Sequence, residues 1–216
     1  MKNLLKEKLQ KNQFVIGTFV GLGHPDVTER LSRIGFDWLL IDGEHAPLGL
    51  ETMQQMMQSM NRSNCTPLVR PQWNDIVTIK RVLDIGDHGV LIQRVNTKEE
   101  AEYTVSACKY PPEGLRGCGP RRAALFDQDY LKTANDEILV IVQIETRKAV
   151  DNINDILAVK EIDACYIGPM DLSRSFGFES PKWDNPPYLA AFDKVLATAQ
   201  KCGNPAGIFA SQENIR

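Results

Sequence analysis

Seven short apolar runs, separated mostly by stretches of helical periodicity, predict an α/β fold: a (β/α)8 TIM-type barrel lacking its eighth strand and C-terminal helices. The runs carry few polar residues, as parallel strands covered on both faces do. The segments between them are amphipathic, which is the βαβ rhythm. Charged residues follow the runs, at the strand ends where such barrels keep their chemistry. The length, 216 residues, falls short of the roughly 250 typical of that fold. An open doubly wound sheet is the alternative, but no G-x-G-x-x-G follows the first strand and no P-loop is present. The whole of 1–216 reads as a single domain.

The opening MKNLLKEKLQKNQ, with leucines at 4, 5 and 9, suits a short amphipathic helix. Phe14 to Val20 is the first strand, and Pro25 and Asp26 open a helix that runs to Ser32 and closes at Gly35. Trp38 to Ile41 is the second strand. A helix from Gly49 to Met60 places Met53, Met56, Met57 and Met60 at i, i+3, i+4, i+7 spacing, a core stripe rather than a metal-binding one. Thr66 to Val69 is the third strand, followed by a helix that starts at Asp75 and has Ile76, Ile79, Val82 and Leu83 as its apolar face. Gly89 to Ile92 is the fourth, and Thr97-Lys98-Glu99-Glu100 has the form of a capping box for a helix to Cys108.

Tyr110 to Phe126 is rich in Pro, Gly and Arg and too long for a plain connector, so it reads as a solvated loop of the functional or disordered kind. Ile138 to Ile144 is the fifth strand, with a helix from Arg147 to Val159 after it. The sixth, Cys165 to Ile167, leads through Gly168-Pro169-Met170 to Asp171. A polar loop from Lys182 to Tyr188 precedes a helix from Leu189 to Lys201, and Ala206 to Phe209 is the seventh strand.

Composition narrows the function classes. At 43% hydrophobic, 25% charged and a net charge of −3, the chain has material for one sizeable core and no electrostatic footprint for nucleic acid. No run spans a bilayer, and the charged start lacks a secretory signal. Five cysteines at 65, 108, 118, 165 and 202, with no C-x-x-C pair, argue against disulfides and zinc knuckles and for a cytoplasmic protein.

The strand ends carry Asp42, Glu44 and His45, then Arg70, Arg94, Glu145 and Asp171. Singly, each carboxylate is as well explained by capping a helix or pairing on the surface. Together they place acid, base, cation and candidate metal ligands on one rim. His45 is the best general acid or base of three histidines. His24 reads as a loop-surface residue, and His88 as structural. Glu145 and Asp171 are too few ligands for structural zinc but suit Mg²⁺ or Mn²⁺, with Co²⁺ a further candidate, keeping waters and taking substrate oxygens.

WLLIDGEHAP, LVRP, LDIG, VQIET and IGPMDLS, in this order, resemble the metal-dependent pyruvate aldolases of the 2,4-dihydroxyhept-2-ene-1,7-dioate aldolase type, across nearly the whole chain. The resemblance implies a class II aldolase, a lyase that cleaves a 4-hydroxy-2-oxo acid reversibly to pyruvate and an aldehyde. Its partners would be those small molecules and copies of itself, as a hexamer, with no nucleic acid or membrane. By motif it implies Glu145 and Asp171 as metal ligands. Gln143 and the stretch Gly168, Pro169, Met170 and Asp171 would contact substrate. Arg70 would stabilise the enolate, His45 would move protons, Asp84 would orient His45, and Asp42 with Glu44 would support them. No lysine stands where a Schiff-base aldolase needs one.

Departures from the pattern are Gln93-Arg94 in place of a proline and an apolar residue, Met170 and Phe209 in place of smaller ones, and the missing last unit. Arg94 has three readings: it binds a second substrate carboxylate, pairs with a rim acid, or impairs the site. Two other functions stay open. One is a malyl- or citryl-CoA type lyase, which predicts phosphate-gripping bases such as Arg116, Arg121 and Arg122. The other is a non-catalytic incomplete barrel used in assembly.

Overall fold

The computed structural model describes residues 2–125 and 127–210. Helix α1 (Leu4–Gln10) is capped by Asn3, whose side chain accepts the Lys6 N–H and donates to the carbonyls of His88 and Glu137. Then come β1 (Gly17–Val20), α2 (Pro25–Leu31), β2 (Trp38–Asp42), α3 (Leu50–Ser59), β3 (Thr66–Arg70), α4 (Ile76–Asp84), β4 (Gly89–Ile92), α5 (Lys98–Cys108) and α6 (Tyr130–Glu137). The chain continues with β5 (Leu139–Ile144), α7 (Arg147–Asp151), α8 (Ile153–Leu157), β6 (Ala164–Ile167), α9 (Pro169–Ser175), α10 (Pro186–Cys202) and β7 (Ala206–Ile208). The seven strands follow sequence order in one sheet. Pairing is parallel from β1 to β4 and from β5 to β7. No helix is long and apolar enough to cross a membrane, among the described residues.

The chain divides into two compact units, Met1–Leu91 with Thr104–Val140 and Ile92–Tyr103 with Ile141–Arg216. In the first, Leu39, Leu40, Ile41 and Val69 form the strand core, and all four predicted methionines are buried against it. Cys65 and Cys108 are buried thiols. His24 caps α2, its Nδ1 accepting the Asp26 N–H at 3.2 Å. His88 is mostly enclosed; burial and the nearby Arg122 charge push its pKa down to about 4, so it is a neutral packing group.

Three features of this unit differ from expectation. Strand one starts at Gly17, because Phe14 is 91% exposed and Ile16 spends its N–H on the Asp37 carboxylate at 2.8 Å. Helix α6 was not expected, since YLKTANDE buries only Tyr130 and Ala134 and shows little periodicity. The segment 110–125 is a loop with most residues exposed, as expected, but it is pinned by one buried arginine. Arg116 is 1% exposed, donates to Asp84 Oδ1 (2.7 Å) and the Tyr130 hydroxyl (3.1 Å), and lies over the Tyr110 ring at 4.4 Å. An arginine so paired anchors the segment, because a buried guanidinium is tolerable only when an opposite charge offsets its desolvation. Phe126, the end of the expected loop, lies outside the described residues.

In the second unit, Ile141, Val142, Ile144, Cys165 and Ile167 make the strand core under α7, α8 and α10. The single helix expected from Arg147 to Val159 is two, broken at Asn152, whose side chain donates to the Asn96 carbonyl (2.8 Å) instead of facing solvent. Helix α10 starts earlier than expected, at Pro186. Asn185 caps it through the Tyr188 N–H, and prolines suit a first turn where no N–H partner exists. It ends at Gly203, whose φ of +75° favours glycine. Strand seven ends at Ile208, one residue short of expectation. The expected loss of an eighth unit after Arg216 lies outside the described residues.

Candidate active site

In the first unit the chemistry gathers where β2 and β3 end. Their register sets Asp42 beside Arg70. Arg70 Nε donates to Asp42 Oδ1 at 2.9 Å and a terminal nitrogen to Oδ2 at 2.6 Å, a two-pronged pair. The other terminal nitrogen is 3.0 Å from Glu44 Oε2, and that oxygen is 3.6 Å from His45 Nε2. Asp42 Oδ1 also accepts the N–H groups of Glu44 (3.1 Å) and His45 (3.3 Å), which fixes the turn that carries them. The Phe19 ring lies 5.1 Å from the guanidinium carbon. Gly43 passes too close for a side chain: a Cβ there would meet the Arg70 carbonyl oxygen at 2.8 Å.

Burial alone would raise the Asp42 carboxyl, but the Arg70 hydrogen bonds and charge, with the two backbone N–H groups, reverse this and hold it below its ordinary range. The two-pronged pair with Asp42 fixes the orientation of the Arg70 guanidinium. Arg70 is buried, whereas His45 is exposed. Asp84 ends α4, not a strand, and within the chain its carboxylate pairs with Arg116. The acid beside His45 within the chain is Glu44.

In the second unit β5 and β6 run in parallel register to Ile144 and Ile167, so Glu145 and Gly168 follow side by side. Glu145 is only 3% exposed. Its Oε1 accepts the Arg94 N–H at 2.8 Å and its Oε2 accepts the Gln143 side-chain amide at 2.6 Å. Gly168 passes close to that carboxylate: a Cβ would come within 2.8 Å of Gln143 Nε2 and 3.1 Å of Glu145 Oε2. Asp171 was read as a strand-end residue; it lies in the first turn of α9 and is exposed, as is Met170. Pro169 is buried, and its carbonyl accepts the hydroxyl of the fully buried Tyr188 at 2.7 Å. Phe176, Phe178, Trp183 and Phe192 pack around that ring, all four edge-on or nearly so.

Glu145 is thus a buried carboxylate held on both oxygens, an anionic oxygen donor of the kind a hard cation takes. With Asp171 it offers two hard oxygen donors, a set that fits Mg²⁺ or Mn²⁺ retaining several waters. Among the described residues no cluster of three or more His, Cys, Asp or Glu forms a closed metal cage. Gly168→Ala should weaken Mn²⁺ binding by about 10–100-fold, by displacing groups that orient the ligand. A titration of Mn²⁺ into the variant showing unchanged affinity would remove Gly168 from this role.

Residues 15–215 match the HpcH/HpaI aldolase/citrate lyase family. The chain belongs to that family. The 4-hydroxy-2-oxo-heptane-1,7-dioate aldolase of Salmonella dublin is 42% identical to this HpcH/HpaI chain over 217 residues, 99% of the chain and 82% of that relative. The crystal structure of an HpcH/HpaI aldolase/citrate lyase family protein from Burkholderia cenocepacia J2315 superposes with a TM-score of 0.91 at 32% identity, covering 97% of this chain and 85% of that one. The citrate synthase SbnG superposes at 0.86 with 28% identity, over 98% and 84%.

Sequence reasoning missed three contacts within the two clusters of this HpcH/HpaI chain. Phe19 carried a usable signal, lying one residue before the end of a strand whose partners were known. Tyr188 and the backbone N–H of Arg94 carried none, because their roles depend on where a distant carbonyl and carboxylate lie.

Proposed function

We propose that the protein cleaves a 4-hydroxy-2-oxo acid reversibly to pyruvate and an aldehyde, with Glu145 and Asp171 holding a divalent cation, Mg²⁺ or Mn²⁺. Its family makes it a class II aldolase, a carbon–carbon lyase. The observation that supports the specific reading is the buried Glu145 carboxylate, held by the Arg94 N–H and the Gln143 amide, with only a glycine at 168 fitting beside it. When bound, the cation supplies a Lewis acid for the charge that develops on the keto oxygen.

The remaining work falls to side chains. His45 takes the C4 hydroxyl proton, and Glu44, 3.6 Å away, stabilises the imidazolium that results. As the C3–C4 bond breaks, its electron pair passes into the enolate of pyruvate. Arg70, oriented by Asp42, presents a fixed donor to that anion and needs no rearrangement as charge builds. Gln143 and the backbone at Gly168 to Asp171 orient the keto acid. His45 then returns its proton to C3. These roles follow the motifs and the parallel strand ends, on which a (β/α)8 barrel puts its active site.

A homo-oligomer fits the exposed apolar side chains of Phe14, Ile16, Leu22 and Ile34. A cytoplasmic compartment fits the buried free thiols of Cys65, Cys108 and Cys165. The CoA-thioester alternative loses one of its phosphate candidates, since Arg116 is buried against Asp84.

The test is pyruvate release from 4-hydroxy-2-oxo acids, including the heptane-1,7-dioate, before and after EDTA. Turnover should vanish with chelation and return with added Mg²⁺ or Mn²⁺. Turnover that ignores EDTA, cleavage of CoA thioesters alone, or silence with every substrate would each sink the proposal.

A further inference from the structure

We infer that Arg94 selects substrates bearing a second carboxylate, its guanidinium receiving the acid at the far end of the aldehyde half; this rests on the aldolase reading above. Arg94 stands just past β4, and its N–H donates to Glu145 Oε1 at 2.8 Å. Its φ is +55°, a left-handed conformation that residues other than Gly, Asn and Asp seldom adopt. Its carbonyl accepts the Asn96 side-chain amide at 2.5 Å. The backbone of residue 94 is thus fixed on both sides and in contact with the buried carboxylate.

The side chain contrasts with this. It is exposed and, among the described residues, has no ion-pair or hydrogen-bond partner. The carboxylate nearest in bonding terms, Glu145, takes the backbone N–H and not the guanidinium. That removes the reading in which Arg94 neutralises its own neighbour. A planar five-donor group anchored at its root and unspent at its tip suits an incoming carboxylate, which it binds through two parallel hydrogen bonds.

The dimensions agree. With bonds of about 1.5 Å, an arginine reaches roughly 7 Å from its Cα, and the keto carbon of a seven-carbon dioate lies roughly 6 Å from its distal carboxyl. One molecule therefore has the length to place its keto acid end at Glu145 and its other acid at Arg94. The dioate named for the Salmonella relative carries such a group.

Two inert keto acids test the assignment by binding alone: 2-oxoheptane-1,7-dioate and 2-oxoheptanoate, titrated calorimetrically into Mg²⁺-loaded protein. Wild type should prefer the dioate by about 10–100-fold, the worth of a charge-assisted hydrogen-bonded pair. Arg94→Gln should collapse that ratio by weakening the dioate. Arg94→Asn, which tolerates the left-handed backbone, should do the same and guards against a folding defect. In the aldol direction with pyruvate, the kcat/KM ratio of succinic semialdehyde over butanal should fall by a similar factor, mostly through KM. A dioate preference that survives both substitutions overturns the inference, as does equal weakening of both keto acids. Failure of wild type to bind either keto acid or to release pyruvate would instead overturn the aldolase reading, and this inference with it.

Discussion

Glu145→Gln should lower metal-dependent cleavage by about 10³-fold or more while the protein remains folded. The substitution keeps shape and volume but removes the anion, and with it the several kcal/mol of charge stabilisation that a bound Lewis acid contributes. The local hydrogen bonds explain why the fold survives. The Arg94 N–H at 2.8 Å still finds an amide oxygen, and Gln143 can turn its own amide to offer an oxygen to the new NH₂ group. Burial of a neutral amide is also easier than burial of a carboxylate. The decisive measurements are Mn²⁺ affinity and the melting temperature side by side. Lost Mn²⁺ binding with an unchanged melting temperature supports the assignment; full turnover in the variant would end it.

Arg70→Lys should reduce kcat/KM by about 10²–10³-fold, the range seen when a preorganised donor to a developing oxyanion is removed. Lysine carries the same charge but cannot reach both Asp42 oxygens and Glu44 in one plane, as Arg70 does at 2.9, 2.6 and 3.0 Å. Arg70→Ala should add a folding defect of about 3–5 kcal/mol, because it strands a buried anion. The pH dependence has a definite sign. In wild type the Asp42 carboxyl lies below its ordinary range, so the stability it contributes is complete above the ordinary carboxylate pKa and is lost as pH falls through the lower folded value. Without Arg70, burial is left as the dominant influence, and acid should stabilise the variant relative to wild type. Denaturant melts between pH 3 and pH 7, run beside kinetics, separate the two roles. A lysine variant with wild-type kcat would show that Arg70 serves only to hold Asp42.

What the sequence revealed and what it hid divide along physical lines. The strands were legible because Leu39 to Ile41 and Ile138 to Ile144 are apolar runs whose burial follows from composition. The methionine stripe was legible from its spacing. Helix α6 and the break at Asn152 were not, since both depend on tertiary partners. Arg116 was misread because a Pro- and Gly-rich stretch suggests water, while the pairing with Asp84 and the stacking on Tyr110 come from residues far along the chain. The motifs that carry Glu145, Asp171, Arg70 and His45 stood out in the sequence, whereas the contacts around them depend on residues distant in the chain.

The phenol of Tyr188 ties the opening of α10 to the turn that precedes Asp171. Under the proposed ligand pair, the aromatic nest around Tyr188 is then a lever on ion preference that leaves both donor carboxylates chemically intact.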